Sequence, residues 1–114
     1  MLSYERLDVY KAAIEFLAVA TKVLDTLPKG NSGLADQLRR AGISIPLNIA
    51  ESSGKPTTKD RQRFIGIARG SAMECGAILD VCRVLDFSDT ETIDHGKQLL
   101  VRIVSMLTKT KMCR

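Results

Sequence analysis

Few residues in this sequence are equipped for covalent or metal chemistry. There is one histidine, His95, and there are three cysteines, Cys75, Cys82 and Cys113. A metal centre inside a helical bundle needs several inward carboxylates and histidines at Glu-x-x-His spacing, and no such pair occurs. No phosphate-binding glycine loop, nucleophile elbow or dinucleotide fingerprint is present. The cysteines are odd in number and form no CxxC pair. Cys75 and Cys82 lie a heptad apart on a helical pattern, roughly 10 Å along its axis, too far to bridge. The expectation is a non-enzymatic protein with no catalytic residue, no cofactor and no metal. Its thiols are expected to be buried in a reducing compartment, and His95 to be an exposed bystander.

The residues suited to engaging a ligand are cations. Lys55, Lys59, Arg61 and Arg63 cluster before and within the start of one helical segment, and Lys109, Lys111 and Arg114 crowd the end of the chain. If helices alternate in direction, these stretches share one end, while Asp86, Asp89, Glu91 and Asp94 collect at the other. Acids favour a helix's first turn and bases its last, which accounts for the acids near Ser88 and the basic tail. That rule does not account for Lys59, Arg61 and Arg63 near a helix start. A basic face for phosphates is the sharper reading and a solvated face the plainer one, and these residues alone leave both open. Only Tyr4 is expected nearby, so base stacking has little support.

Four helical patterns must position these groups. The first runs from about Tyr4 to Asp25, with Leu7, Tyr10, Ile14, Leu17 and Leu24 as its apolar stripe. Pro28 to Gly33 breaks it. The second carries Leu34, Leu38, Ala41, Ile45 and Ile49. It contains Pro46, whose ring opposes the carbonyl of Gly42, so a kink rather than a break is expected. After the turn at 52–56, Thr57 with Asp60 resembles a capping box and opens the longest helix, to about Leu85. Ser88 with Glu91 reads as a second box, before a helix burying Ile93, Leu100, Ile103, Val104 and Leu107. Short connections imply antiparallel neighbours, so the fold class is all-α, an up-and-down antiparallel four-helix bundle.

The chain has 114 residues, 45% of them hydrophobic and 26% charged, with net charge +4. These values suit one domain spanning residues 1–114, large enough for a core without disulfides. No leader pattern and no run near the ~20 apolar residues of a membrane span is seen, so a cytoplasmic protein is expected.

The third helix carries two stripes. Phe64, Ala68, Ser71, Cys75, Ile78, Cys82 and Leu85 form its core face. Opposite run Gly66, Gly70, Met73, Ala77 and Val84, where a surface helix should be charged. Mid-helix glycine costs roughly 0.5–1 kcal/mol against alanine, so two on one face suggest close approach of another backbone. Self-association and internal packing against a neighbouring helix are the two readings.

Three stretches carry a family resemblance: Gln37-Leu-Arg-Arg-Ala41, Ser44-Ile-Pro-Leu-Asn-Ile-Ala-Glu51 and Arg63-Phe-Ile-Gly-Ile-Ala-Arg-Gly-Ser-Ala-Met-Glu74. They resemble the bacterial four-helix-bundle proteins encoded in intervening sequences of 23S ribosomal RNA genes. Leu7-Asp-Val-Tyr10 and Leu27-Pro28 extend the resemblance over nearly the whole chain. Ser52 departs from the family's usual glycine, and Arg61 from its common aromatic. The resemblance implies a homo-oligomer, a pentameric ring. It also implies similarity to the bundle subunit accompanying reverse transcriptases of diversity-generating retroelements, a basic ring that binds nucleic acid and protein. The family's polar positions map onto Arg39, Arg40, Asn48, Glu51, Arg69 and Glu74. Asn48 and Glu51 flank the second stripe beside Pro46, and a network fixing the kink or the subunit register is favoured over a catalytic site. The function expected is a scaffold binding RNA or DNA, structured RNA above all, through its basic end. The alternative is a protein–protein adaptor with no nucleic-acid contact.

Overall fold

The structure, a computed structural model, describes residues 2–112 and the side chains through Thr110. A short 3-10 turn, Ser3–Arg6, leads into four helices: α1 (Asp8–Thr26), α2 (Ser32–Ser53), α3 (Thr58–Val84) and α4 (Thr90–Met112). No strand occurs among the described residues. α1 packs beside α2 and α4, and α3 packs beside the same two, which is a square four-helix bundle with no diagonal pairing. The body measures 44 × 26 × 22 Å, its long dimension set by α3 at about 1.5 Å per residue. No helix is long and apolar enough to cross a membrane among the described residues.

The core runs along the bundle axis through Phe16, Leu38, Ile45, Leu79, Ile93, Ile103 and Leu107, all essentially inaccessible. Each such side chain contributes roughly 1.5–3 kcal/mol relative to exposure. Two glycines let helices close on one another. A Cβ at Gly42 of α2 would meet Leu17 of α1 at 3.4 Å. At Gly96 of α4 it would stand 2.9 Å from the Leu79 Cδ1 of α3 and 3.3 Å from Val19 of α1, a three-helix junction where any side chain would make its neighbours shift. α2 continues unbroken through Pro46, and Ile45 and Ile49 on either side are buried.

Several expected stripes are rotated. In α1 the buried residues are Ala12, Ala13, Phe16, Val19, Ala20 and Val23. Leu7 precedes the helix and is exposed, and Ile14 is 44% exposed, while Tyr10 and Leu24 only flank the core. Small residues face inward here because helices approach closely where alanines meet, which a count of large apolar residues does not register. In α3, Phe64 and Ser71 are half-buried and Leu85 is 52% exposed, whereas Ile65, Ala72 and Leu79 complete the core.

Thr57 caps α3, its Oγ1 accepting the Asp60 backbone N–H at 3.2 Å. The cap of α4 is Asp89 rather than Ser88. Asp89 accepts from the Thr92 backbone N–H at 2.7 Å and from the Thr92 hydroxyl at 2.9 Å. Two cap-competent residues stand side by side, and the carboxylate, with two acceptor oxygens, serves both donors. The Ser88 hydroxyl is buried beside it without a hydrogen-bond partner.

Candidate nucleic-acid interface

The α2–α3 turn builds one end of the bundle from the inside outward. The buried Ser52 hydroxyl donates to the Arg61 carbonyl at 2.9 Å, and Arg61 Nε donates to the Lys55 carbonyl at 2.6 Å. The serine that departs from the family's glycine thus ties the end of α2 to the start of α3. Arg61 is committed to the turn backbone. Lys55 Nζ pairs with Glu51 at 3.0 Å and lies 5.1 Å from the Phe64 ring centroid. The Arg63 guanidinium lies 4.7 Å from the same centroid. Phe64 is therefore a half-buried aromatic with two cations against its ring, outside the buried core, which corrects the expectation that only Tyr4 serves this end. Its position at the edge of the helical stripe hid this in the sequence.

Lys59 and Lys109 are exposed, with no ion-pair partner among the described residues. The 3-10 turn adds Arg6 to the same end and touches α2 through Ser3 and Ser53, whose hydroxyls are 3.3 Å apart. Glu5, Asp8, Glu51 and Asp60 are interspersed, so the positive excess per chain is modest. Arg114 and the side chain of Lys111 lie outside the described residues, as does Cys113.

At the opposite end two of the acids, Asp89 and Asp94, are engaged in structure. Asp89 caps α4, and the Thr92 N–H above all holds its carboxyl below the usual range. Asp94 pairs with Arg83 at 2.7 Å, joining α4 to α3. Asp86 occupies the left-handed region at φ 59°, where α3 ends in a Schellman motif. There the Phe87 N–H donates to the Cys82 carbonyl at 2.9 Å, and Asp86 N–H to that of Arg83 at 3.2 Å.

The residues mapped from the family motif separate into four places. Asn48 Nδ2 donates to the Ser44 carbonyl at 2.8 Å and to its hydroxyl at 2.9 Å, and Ser71 Oγ reaches that hydroxyl at 2.8 Å. Arg40 and Glu74 line a cleft of about 370 Å³ over this α2–α3 bridge. Arg69 Nε instead donates to Thr108 on α4 at 2.7 Å. Arg39 pairs with Asp36 at 3.1 Å on the surface, and Glu51 belongs to the basic end. The serines of the bridge were not among the expected polar residues. Ser44 and Ser71 each lie on a face that turns toward the other helix.

On the other side of α3, Gly70, Met73, Ala77 and Val84 face outward, with Met73 55% and Val84 83% exposed, while Gly66 is half-buried. Among the described residues, no helix packs directly over Gly70, Met73, Ala77 and Val84. A Cβ at Gly70 would meet nothing within 4 Å. Met73, Gly76 and Ala77 of α3 face Leu100, Val101 and Val104 of α4 across an apolar groove of about 460 Å³, bridged at one side by Lys97 and Asp80 at 2.6 Å.

The groups suited to covalent chemistry are apart. His95 is half-exposed and contacts Glu15 of α1 at 3.2 Å, an inter-helix pair rather than a bystander. Cys75 and Cys82 are buried free thiols. Burial, reinforced by Glu74, pushes Cys75 up to about 12, and burial also raises Cys82, so neither supplies a thiolate near neutral pH. No group of three or more potential metal ligands occurs among the described residues.

A family model described as 23S rRNA-intervening sequence protein matches residues 5–109. No curated protein matches the chain in sequence. Among solved structures, the fold is similar to a crystal structure, at 1.70 Å resolution, of a protein of unknown function from the S23 ribosomal protein family of Bacteroides thetaiotaomicron VPI-5482. That structure is 20% identical, with a TM-score of 0.82 over 90% of this chain and 97% of the other.

Proposed function

This chain belongs to the 23S rRNA-intervening sequence protein family, and we propose that it is a non-enzymatic, homo-oligomeric scaffold that binds structured RNA through its basic end. The observation that carries the reading is the asymmetry of the two ends. At one, Asp89 and Asp94 are held by a cap and an inter-helix pair. At the other, Lys59, Arg63 and Lys109 project outward with no carboxylate engaging them. Contacts of this kind go to phosphates, so affinity should fall steeply with salt and depend little on sequence.

Assembly raises the effect. Copies arranged around an axis along their helices set their basic ends on one face, turning a modest charge per chain into a concentrated positive surface. The uncovered α3 face and the apolar α3–α4 groove favour such contacts, and a pentameric ring is the form proposed.

The test is fluorescence anisotropy of a labelled RNA hairpin and a DNA duplex at low and moderate salt, with light scattering on the same protein. Salt-sensitive binding by an oligomer is expected. No binding even at low salt makes the chain a protein–protein adaptor instead. Gly70→Leu should shift the scattering toward smaller species at an overpacking cost of roughly 1–3 kcal/mol per interface, while the helical signal stays intact. A wild type that is monomeric at tens of micromolar removes the assembly part of the proposal.

A further inference from the structure

Phe64 has a place in the fold that a core role does not explain. It is half-buried at the α2–α3 turn, and two cations from either side of that turn converge on its ring, Lys55 Nζ at 5.1 Å and the Arg63 guanidinium at 4.7 Å. Gathering two like charges around one ring is unfavourable by itself, and the attraction of each for the aromatic face offsets that. The backbone beneath is fixed independently, since Arg61 Nε holds the Lys55 carbonyl and Ser52 holds the Arg61 carbonyl. Lys and Arg side chains ordinarily lose much rotamer freedom when they engage a ligand. Here the ring, and for Lys55 also Glu51, gives each cation a contact to rest on in the free protein.

We infer that Phe64 is a positioning residue for a phosphate clamp, holding Lys55 and Arg63 ready to take one phosphodiester group of a nucleic acid between them. The inference rests on the proposed RNA binding and adds a residue to it. Glu51 is the opposing group at the clamp, 3.0 Å from Lys55. It competes with an incoming phosphate for Lys55, so the clamp binds an anion only by sharing or displacing that carboxylate. Asp60 on the first turn of α3, with Glu5 and Asp8, supplies the other acids of this end.

Binding of a fluorescein-labelled RNA hairpin across a salt series tests this with five proteins: wild type, Phe64→Leu, Phe64→Trp, Lys55→Gln/Arg63→Gln, and the triple variant that combines the last with Phe64→Leu. Phe64→Leu keeps an apolar side chain and removes the aromatic face. It should weaken binding roughly two- to fivefold, the size of one or two exposed cation–π interactions. It should also flatten the dependence of log affinity on log salt by up to about 0.9 for each phosphate that is no longer neutralised. Phe64→Trp should restore both. In the Lys55→Gln/Arg63→Gln background, Phe64→Leu should have no further effect, because the ring acts through those two cations. Thermal melts followed by circular dichroism separate a purely structural role, which would lower the midpoint and leave the salt slope alone. Equal binding and slope for wild type and Phe64→Leu overturn the inference while leaving RNA binding intact. An undiminished Phe64→Leu effect in the double-glutamine background also overturns it, in favour of direct stacking. A wild type that does not bind overturns the inference together with the reading beneath it.

Discussion

The α2–α3 and α3–α4 turns do the same topological job with opposite chemistry. Between α2 and α3, Gly54 sits at φ −89° in ordinary right-handed space, where any residue is at ease, and a Cβ there would be 3.7 Å from the Glu51 carbonyl. Between α3 and α4, the left-handed position that favours glycine is filled by Asp86 at φ 59°. The first turn is stitched by side chains, Ser52 and Arg61, that leave lysines and an arginine facing outward. The second is stitched by carboxylates and packs Phe87 against the core. At the acidic turn Asp89 and Asp94 serve the fold, whereas at the basic turn Lys59 stands exposed with no carboxylate partner among the described residues.

The largest effect expected from this contrast is on binding. Changing Lys59, Arg63 and Lys109 together to glutamine should reduce RNA affinity at least tenfold at low salt and flatten the salt slope by roughly 0.9 per phosphate left without its cation. Neutralising the acidic end with Asp25→Asn and Glu91→Gln should leave the slope unchanged. Equal effects from the two sets would mean only that net charge matters, and the contrast between the ends would disappear.

The caps come next. Thr57→Ala at the basic turn should cost about 1 kcal/mol, measured by urea unfolding. Asp89→Ala at the acidic turn should lower the urea midpoint further, because Asp89 serves two donors where Thr57 serves one. Its carboxyl titrates below the ordinary 3.8 in the folded chain. The stabilisation from that cap is therefore complete above this value and disappears as pH falls through the lower folded value. The difference between wild type and Asp89→Ala should accordingly close on acidification below pH 3.8. A gap that persists at lower pH would assign the effect to something other than the ionised cap.

The smallest effects come from the turn backbones, and both are gains. Asp86→Gly should stabilise by roughly 1 kcal/mol, by relieving left-handed strain and removing an acid from the negative end of α3. Gly54→Ala should stabilise by about 0.4–1 kcal/mol through the unfolded chain. Loss of stability in either variant would mean that the turn conformations are not those described.

The helices were legible because apolar residues recur at three- and four-residue steps, and breaker residues separate them. The facing of α1 was not, because Ala12, Ala13 and Ala20 carry much of its core packing and large residues dominate any reading by hydrophobicity. Gly96 did carry a signal. It falls in register with Ile93, Leu100, Ile103 and Leu107, where a missing side chain marks close approach. At the basic end, the clustering of cations could be inferred from alternating helix direction alone. The meeting of Lys55 and Arg63 over Phe64 could not, since it depends on the rotation of α3 at the edge of its stripe. Nor could the Asn48–Ser44–Ser71 bridge, which joins residues far apart in the chain.

The order of packing around the square has a kinetic consequence. Three of its sides join helices that are consecutive in the chain, and only the α1–α4 side joins distant ones. Low contact order of this kind favours folding in microseconds to milliseconds. The α1–α4 side must still wait for the longest loop to close, and it closes on Gly96, where an added Cβ would stand 3.3 Å from Val19 and 3.5 Å from Phe16. Completing the bundle thus brings α1 against a position of α4 that presents no side chain. Enlarging it should slow the final docking of α1 while leaving the α2–α3 hairpin free to form.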